Sequence, residues 1–183
     1  MTQKTNPFST VLADPPWPER GAGKIKRGAD RHYSLMSVKD IESFLQNIPF
    51  ADNCHFYMWV TNNYLYDGLK ILDNLGFRYI TNIAWIKDRI GLGFYFRGQH
   101  ELLLFAVKGK TLHPKKRNQS TVISAKRRKH SQKPEEQYTK IEAVSPGPYL
   151  EVFARNKREG WEVIGNEVQD SIHCTVFRIP FGT

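Results

Sequence analysis

The sequence predicts an α/β protein with an open, largely parallel sheet flanked by helices. Three observations carry that expectation. Short apolar runs with the composition of buried strands alternate with stretches whose apolar residues recur at helical spacing. Proline, glycine and Asn/Ser clusters punctuate most of the changes from one to the other. Of 183 residues, 40% are hydrophobic, which suffices for a full core in one domain over residues 1–183.

The elements follow in order. Phe8-Ser9-Thr10-Val11-Leu12-Ala13 reads as a strand buried on both faces. Asp14-Pro15-Pro16-Trp17 ends it, because each proline fixes φ and removes an N–H. Gly21 to His32 is a loop with its own basic residues, either a lid over a site or a surface connection, and Tyr33 closes it. Ser37 caps a helix, with Asp40 three residues on and Ile41, Phe44 and Leu45 on its face to about Gln46. Cys54 to Val60 is a central strand. Thr61-Asn62-Asn63 starts the next helix; Leu65, Leu69, Ile71 and Leu72 are its buried stripe and Gly76 its stop. Tyr79–Ile86 and Glu101–Val107 are strands, separated by a loop rich in glycine and aromatics over Lys87 to His100. A basic loop spans about 108–132, with short apolar content at Val122-Ile123. A helix starts at Lys133-Pro134-Glu135-Glu136 with proline in its first turn, and Ser145-Pro146-Gly147-Pro148 stops it. Tyr149–Ala154 and Trp161–Gly165 are strands, and Thr175 to Pro180 is an expected edge strand.

Composition excludes several classes. No run approaches the roughly 18 apolar residues of a membrane span. The first seven residues have no apolar stretch of the kind a signal peptide needs. Cys54 and Cys174 are far apart and form no CxxC, which fits free thiols in a reducing cytoplasm and argues against a zinc site. There is no GxGxxG for a dinucleotide. The net charge is +9 and it is localised. No acidic residue lies between Glu101 and Glu135, while that interval holds ten of the 27 Lys and Arg. The remainder has 17 basic against 18 acidic residues. A near-neutral domain with one strongly basic segment is the footprint of a polyanion partner, most often nucleic acid. Lys126, Arg127, Arg128 and Lys129 are its densest part.

The chemistry concentrates at Asp14-Pro15-Pro16-Trp17. The end of a buried strand is where open α/β sheets bind ligands. A proline-stiffened corner there offers a carboxylate, fixed carbonyls and an indole, with nothing local to satisfy Asp14. An exocyclic amine on a planar base fits such a corner. The carboxylate accepts one hydrogen, a carbonyl accepts the other, and the indole stacks on the ring.

These residues resemble the acceptor motif of amino-methyltransferases, and the form with Trp17 resembles the MT-A70 family of adenine N6-methyltransferases. The resemblance runs from about Thr10 to Ile172. It continues through Tyr33, Phe56–Thr61, Ile83–Lys87, His100–Leu104, Ser131–Glu135, Glu151–Arg155 and Gly160–Glu167. It implies a Rossmann-like fold dependent on S-adenosylmethionine, with Asp14, Pro15, Pro16 and Trp17 at the reacting amine. Tyr33, Trp59 and Trp85 are implied to shape the adenine pocket or its gate, with Lys87 and Glu101 near the acceptor base. On the donor side it implies Ala13, Asp14, Lys133, Glu151, Phe153, Arg155, Asn156, Asn166 and Glu167. Family members often carry an amide where Glu167 stands, and His or Arg near Lys157. The chain looks like the short bacterial and phage members, which are similar to DNA adenine methyltransferases. The expectation is therefore methylation of adenine in DNA in a bacterial or phage-infected cytoplasm, with no metal, and with a homodimer as one way to extend a small recognition surface. An RNA adenosine methyltransferase and a catalytically silent nucleic-acid-binding subunit are the rivals.

Overall fold

A computed structural model of the chain describes residues 6–18, 35–93, 95–110, 112–128 and 132–165. The loop from Gly21 to His32, Tyr33, Lys129, Asn166, Glu167 and the expected strand at Thr175 to Pro180 lie outside these residues. Among the described residues seven strands form one sheet: β1 (Phe8–Ala13), β2 (Phe50–Val60), β3 (Arg78–Ile86), β4 (His100–Lys108), β5 (Val122–Ser124), β6 (Tyr149–Val152) and β7 (Trp161–Ile164), in the order β5-β3-β4-β2-β1-β6-β7. Three α-helices among the described residues accompany it: α1 (Val38–Leu45), α2 (Leu65–Asn74) and α3 (Glu136–Val144).

The sheet is largely parallel, as expected. β1 pairs in parallel with β2 and β6, β6 with β7, and β3 with β5. β4 runs against both of its neighbours, β2 and β3. The start of β4 therefore lies on the same sheet edge as the ends of the other strands. Strand β5 sits inside the stretch expected to be a basic loop; its Val122-Ile123 pair is enough to add one short parallel edge strand.

Alternation along the strands divides the core in two. Val11 and Ala13 of β1, with Phe56, Met58 and Val60 of β2, face α1 and α2 through Ile41, Phe44, Leu45, Ile71 and Leu72. Leu12, Tyr57, Trp59 and Leu103 point the other way, towards Ile141 of α3 and Trp161.

The local signals mostly hold. The Ser37 hydroxyl accepts from the Asp40 N–H at 3.2 Å and caps α1. α2 is preceded by a 3-10 turn over Asn62–Tyr64. It ends with Gly76 at φ 77°, Gly76 N–H on the Asp73 carbonyl and Phe77 N–H on the Leu72 carbonyl, the paired bonds of a Schellman stop. α3 begins three residues after Lys133, at Glu136, so Pro134 precedes the helix. Among the described residues no helix is long and apolar enough to cross a membrane.

α2 lies close on β2 at Gly68, where a methyl group would fall 2.6 Å from Val60 Cγ1. Gly68→Ala gains about 1 kcal/mol in helix propensity. Overpacking a buried contact costs about 1–3 kcal/mol. The expected outcome is net destabilisation, measured as a lower urea midpoint with an unchanged slope.

Candidate active site

Strand β1 is flanked by β2 on one side and β6 on the other, and the chain reaches them by crossovers in opposite directions along the sheet. That makes the β1/β6 junction a switch point, where a crevice opens beyond the strand ends. Asp14 leaves β1 there, and its N–H donates to the Val152 carbonyl of β6 at 3.4 Å. Phe153 follows β6 at φ 63°, a conformation that costs a non-glycine residue about 1–3 kcal/mol. Its ring packs on Phe44 at 4.9 Å, which helps hold that turn.

A cleft occupies this junction. Asp14, Trp59, Lys133, Glu151, Phe153, Arg155 and Asn156 line it, together with Leu12, Gln137, Tyr138 and Arg158. Seven residues singled out from the sequence thus meet in one place. Ala13 brings no side chain to it; its methyl is fully buried in the core.

The Asp14 carboxylate does not stand unsatisfied, as the local sequence suggested. Lys133 Nζ lies 2.9 Å from Asp14 Oδ1 and 3.3 Å from Glu101 Oε2. Glu101 Oε1 is in turn 2.5 Å from Lys87 Nζ. Two carboxylates and two ammonium groups alternate through a nearly buried space. Burial opposes charge on Lys133, but Asp14 and Glu101 outweigh it and raise its pKa. Burial likewise pushes the Glu101 carboxyl up, and Lys133 and Lys87 together bring it below its ordinary value.

The aromatics require correction. Trp17 is 9% exposed and cannot stack on a base from solvent. Its indole N–H donates to the Trp59 carbonyl at 2.9 Å and its ring stacks on Tyr64 at 5.1 Å. Trp17 is a clamp that fixes the proline corner onto β2. Its own N–H donates to the Pro15 carbonyl at 2.9 Å, which holds that carbonyl in place and uses one of its two acceptor positions. Trp59 lies under the cleft, bonded through Nε1 to Gln137 Oε1 at 2.7 Å, with Lys133 Nζ 5.5 Å from its ring centre. Trp85 is buried behind it, bonded to the Ala125 carbonyl. Neither is an open gate.

On the β6 side, Glu151 is nearly buried, and both its oxygens accept from the Tyr138 hydroxyl at 2.9 and 3.1 Å. Burial raises its pKa to about 7; Tyr138 opposes that rise, and the charges of Asp14 and Glu135 add to it. The Arg158 guanidinium lies 4.2 Å over the Tyr138 ring. Tyr138, Gln137 and Arg158 are site residues that the sequence reading missed. Tyr138 stands three residues before Ile141 on α3, a helical spacing that reads as core and conceals a hydroxyl aimed at Glu151.

The basic segment is partly neutralised. Arg127 lies 3.7 Å from the Asp88 carboxylate and its N–H donates to the same oxygen at 3.0 Å. Arg128 pairs with Glu135. Lys126 is exposed.

A switch-point cleft on a largely parallel sheet, with an acidic corner after β1 and a second carboxylate near the end of β6, defines the class: a Rossmann-like, S-adenosylmethionine-dependent methyltransferase fold. Within that class, the MT-A70 family model matches residues 8–167, and the chain belongs to the MT-A70 family. The human N(6)-adenosine-methyltransferase catalytic subunit METTL3 is 33% identical over 183 aligned residues, covering 91% of this chain and 29% of METTL3. A Medicago truncatula protein, putative N(6)-adenosine-methyltransferase MT-A70-like, is 30% identical over 88% of this chain and 26% of its own length. The type II methyltransferase M.MunI of a Mycoplasma species is 26% identical over 90% of this chain and 79% of its own length. The chain thus spans under a third of METTL3 and of the plant relative.

Glu151 sets a pH dependence for the ligand-free protein. Its raised pKa means that the folded state binds a proton more tightly than the unfolded chain, so its contribution to stability falls as pH rises from about 4.5 to about 7. Burial lowers the His55 pKa and gives an opposite slope below about 6.5, so the Glu151 effect is read as a difference: Glu151→Gln should gain in melting temperature relative to wild type as pH rises across that interval. A pH series of thermal melts on both proteins checks it.

Proposed function

We propose that the protein transfers a methyl group from S-adenosylmethionine to the N6 amine of adenine in nucleic acid, with DNA preferred. The observation that carries this reading is the meeting of Asp14, Lys133 and Glu151 in one switch-point cleft. The names of METTL3 and its plant relative specify N6 of adenosine, which supports the target atom. The preference for DNA rests on the likeness to short bacterial and phage members.

The donor set suits S-adenosylmethionine. Glu151, a carboxylate beside a strand end, suits a ribose diol. Lys133 suits the carboxylate of the amino-acid end, and Phe153, Arg155 and Asn156 line the cleft towards the nucleoside end. Bound there, the donor supplies an electrophilic methyl group.

The remaining chemistry belongs to this chain. Asp14 and the Pro15 carbonyl accept the two hydrogens of the amine and draw electron density onto its nitrogen. The Pro15 carbonyl has one acceptor position left for this. For Asp14, the amine takes the place now held by Lys133 Nζ, and the ammonium moves to a new counter-ion. The nitrogen would displace the donor's sulfur from the methyl carbon, the N–C bond forming as the C–S bond breaks and a neutral thioether leaving, with no protein group carrying the methyl in between. Asp14 orients the amine, and the proton passes to solvent during or after transfer. In a duplex the base is first turned out of the stack, at a cost of a few kcal/mol.

Asp14→Ala should lower turnover by at least about a hundredfold, the scale on which a positioned acceptor acts. Donor affinity should be weakened far less. Methylation assays and isothermal titration separate the two, and full activity in the variant removes the chemistry. Absence of donor binding in the wild type would favour a silent binding subunit, and faster methylation of matched RNA oligonucleotides would reverse the DNA preference.

The surface charges give a second expectation. Lys126→Ala should reduce the slope of log affinity against log salt by about 1. Arg127→Ala and Arg128→Ala should change it less, because Asp88 and Glu135 already balance those charges. Filter binding at several salt concentrations measures all three.

A further inference from the structure

We propose that Tyr138 is a positioning residue for the methyl donor: its hydroxyl aims the Glu151 carboxylate into the cleft and so sets how tightly S-adenosylmethionine binds; this rests on the donor site proposed above. The hydroxyl lies 2.9 Å from Glu151 Oε2 and 3.1 Å from Glu151 Oε1. A phenol carries one proton, and here both oxygens share it. That contact fixes how the carboxylate is turned and leaves its other lone pairs for the hydrogens of a ligand. Both residues line the cleft, so the contact stands where a donor would enter.

The ring that carries this hydroxyl is held in place. The Arg158 guanidinium lies over its face, within the range of a cation–π contact. Arg158 is itself anchored, with Nη1 3.5 Å from Glu135 Oε2 and Nε 3.4 Å from Glu142 Oε1. The Trp161 ring meets Tyr138 edge-on at 5.4 Å, and its N–H donates to Glu142 Oε1 at 2.7 Å. A ring that served only to fill space beside Ile141 would need no hydroxyl, since phenylalanine occupies the same volume. The supports of Arg158 and Trp161 instead bring one O–H to bear on one carboxylate.

The charge state of Glu151 makes the contact measurable. Ionised, the side chain only accepts; protonated, one oxygen becomes a donor. Burial raises its pKa to about 7, the Tyr138 hydrogen bond opposes that rise, Asp14 and Glu135 add to it, and Arg158 opposes it. Its register partners, Leu12 on β1 and Val163 on β7, bring no charge. Loss of the hydroxyl removes a bond that favours the ionised form, so the pKa rises further. Burial and Glu151 hold the Tyr138 phenol above its ordinary value, so it remains a donor in mild alkali.

The test is Tyr138→Phe, which keeps the ring and its packing. Isothermal titration with S-adenosylmethionine gives the dissociation constants of wild type and variant at about pH 6 and about pH 9. The variant should bind more weakly. The ratio of the two constants should be about tenfold larger at the lower pH, the scale of one hydrogen bond to a charged group. Titration of the donor itself is common to both proteins and cancels in the ratio. In a Glu151→Gln background the same substitution should give a ratio independent of pH. A ratio no larger at the lower pH, or a pH-dependent ratio that persists with Glu151→Gln, overturns the proposal. If the wild type binds no donor at either pH, the donor reading fails instead. Thermal melts of the ligand-free proteins over the same range then decide the contact. Tyr138→Phe should lose melting temperature relative to wild type as pH rises, because a folded-state pKa raised further loses more stability as the carboxyl ionises. A constant difference overturns it.

Discussion

The Lys133 ammonium, held between Asp14 and Glu101, is the contact on which the rest of the site depends. Each partner comes from a different part of the chain: the end of β1, the start of β4 and the segment before α3. Taking a charge out of water costs several kcal/mol per ion, so charges in so enclosed a place are held in pairs. Asp14 and Glu101 outweigh burial at Lys133 and raise its pKa, and Lys133 and Lys87 lower that of Glu101. Removing one member would leave another charge uncompensated. The network therefore fixes the relative positions of three segments in the ligand-free protein.

This arrangement requires the one strand that breaks the parallel pattern. Glu101 is the second residue of β4. In a parallel strand it would sit at the opposite edge of the sheet, far from Asp14. Because β4 runs against β2 and β3, its first residues reach the edge where β1 ends. The reversal also lets the loop over residues 87–99 join β3 to β4 directly, without a crossover. One topological feature thus supplies the carboxylate that steadies Lys133.

Much of this was legible in the sequence, and the failures have a common cause. The proline corner after a buried run located the site, because strand ends and proline geometry are local properties. The helices and strands came within a few residues for the same reason, although β2 begins four residues before its expected start at Cys54. The misreadings concern partners far apart in the chain. Asp14 seemed unsatisfied because its cation is 119 residues away. Trp17 seemed a stacking platform because nothing nearby shows that its N–H is taken by the Trp59 carbonyl. β5 was hidden in the basic segment because three residues carry no periodicity, and pairing with β3 defines it. The uneven charge was visible, but Asp88 and Glu135 blunt part of it from outside the segment.

The cleft and the basic surface place opposite demands on the same few residues. The cleft wall carries the carboxylates of Asp14, Glu135 and Glu151 among the cations Lys133, Arg155, Lys157 and Arg158, so its interior is close to charge balance and offers a polyanion little net attraction. The basic segment attracts that polyanion but offers no acceptor for an amine. A nucleic acid meets both when its backbone lies along the basic segment while one neutral base enters the cleft. The alternating chain from Lys87 through Glu101 and Lys133 to Asp14 spans the boundary between the two regions. At one end is the root of a projecting loop, at the other the carboxylate that orients the amine. Placing a base in the corner while its phosphates stay outside requires a rigid link between the two regions, and the β2 ladder that joins β1 to β4 provides it whether or not the Lys133 ammonium stays on Asp14.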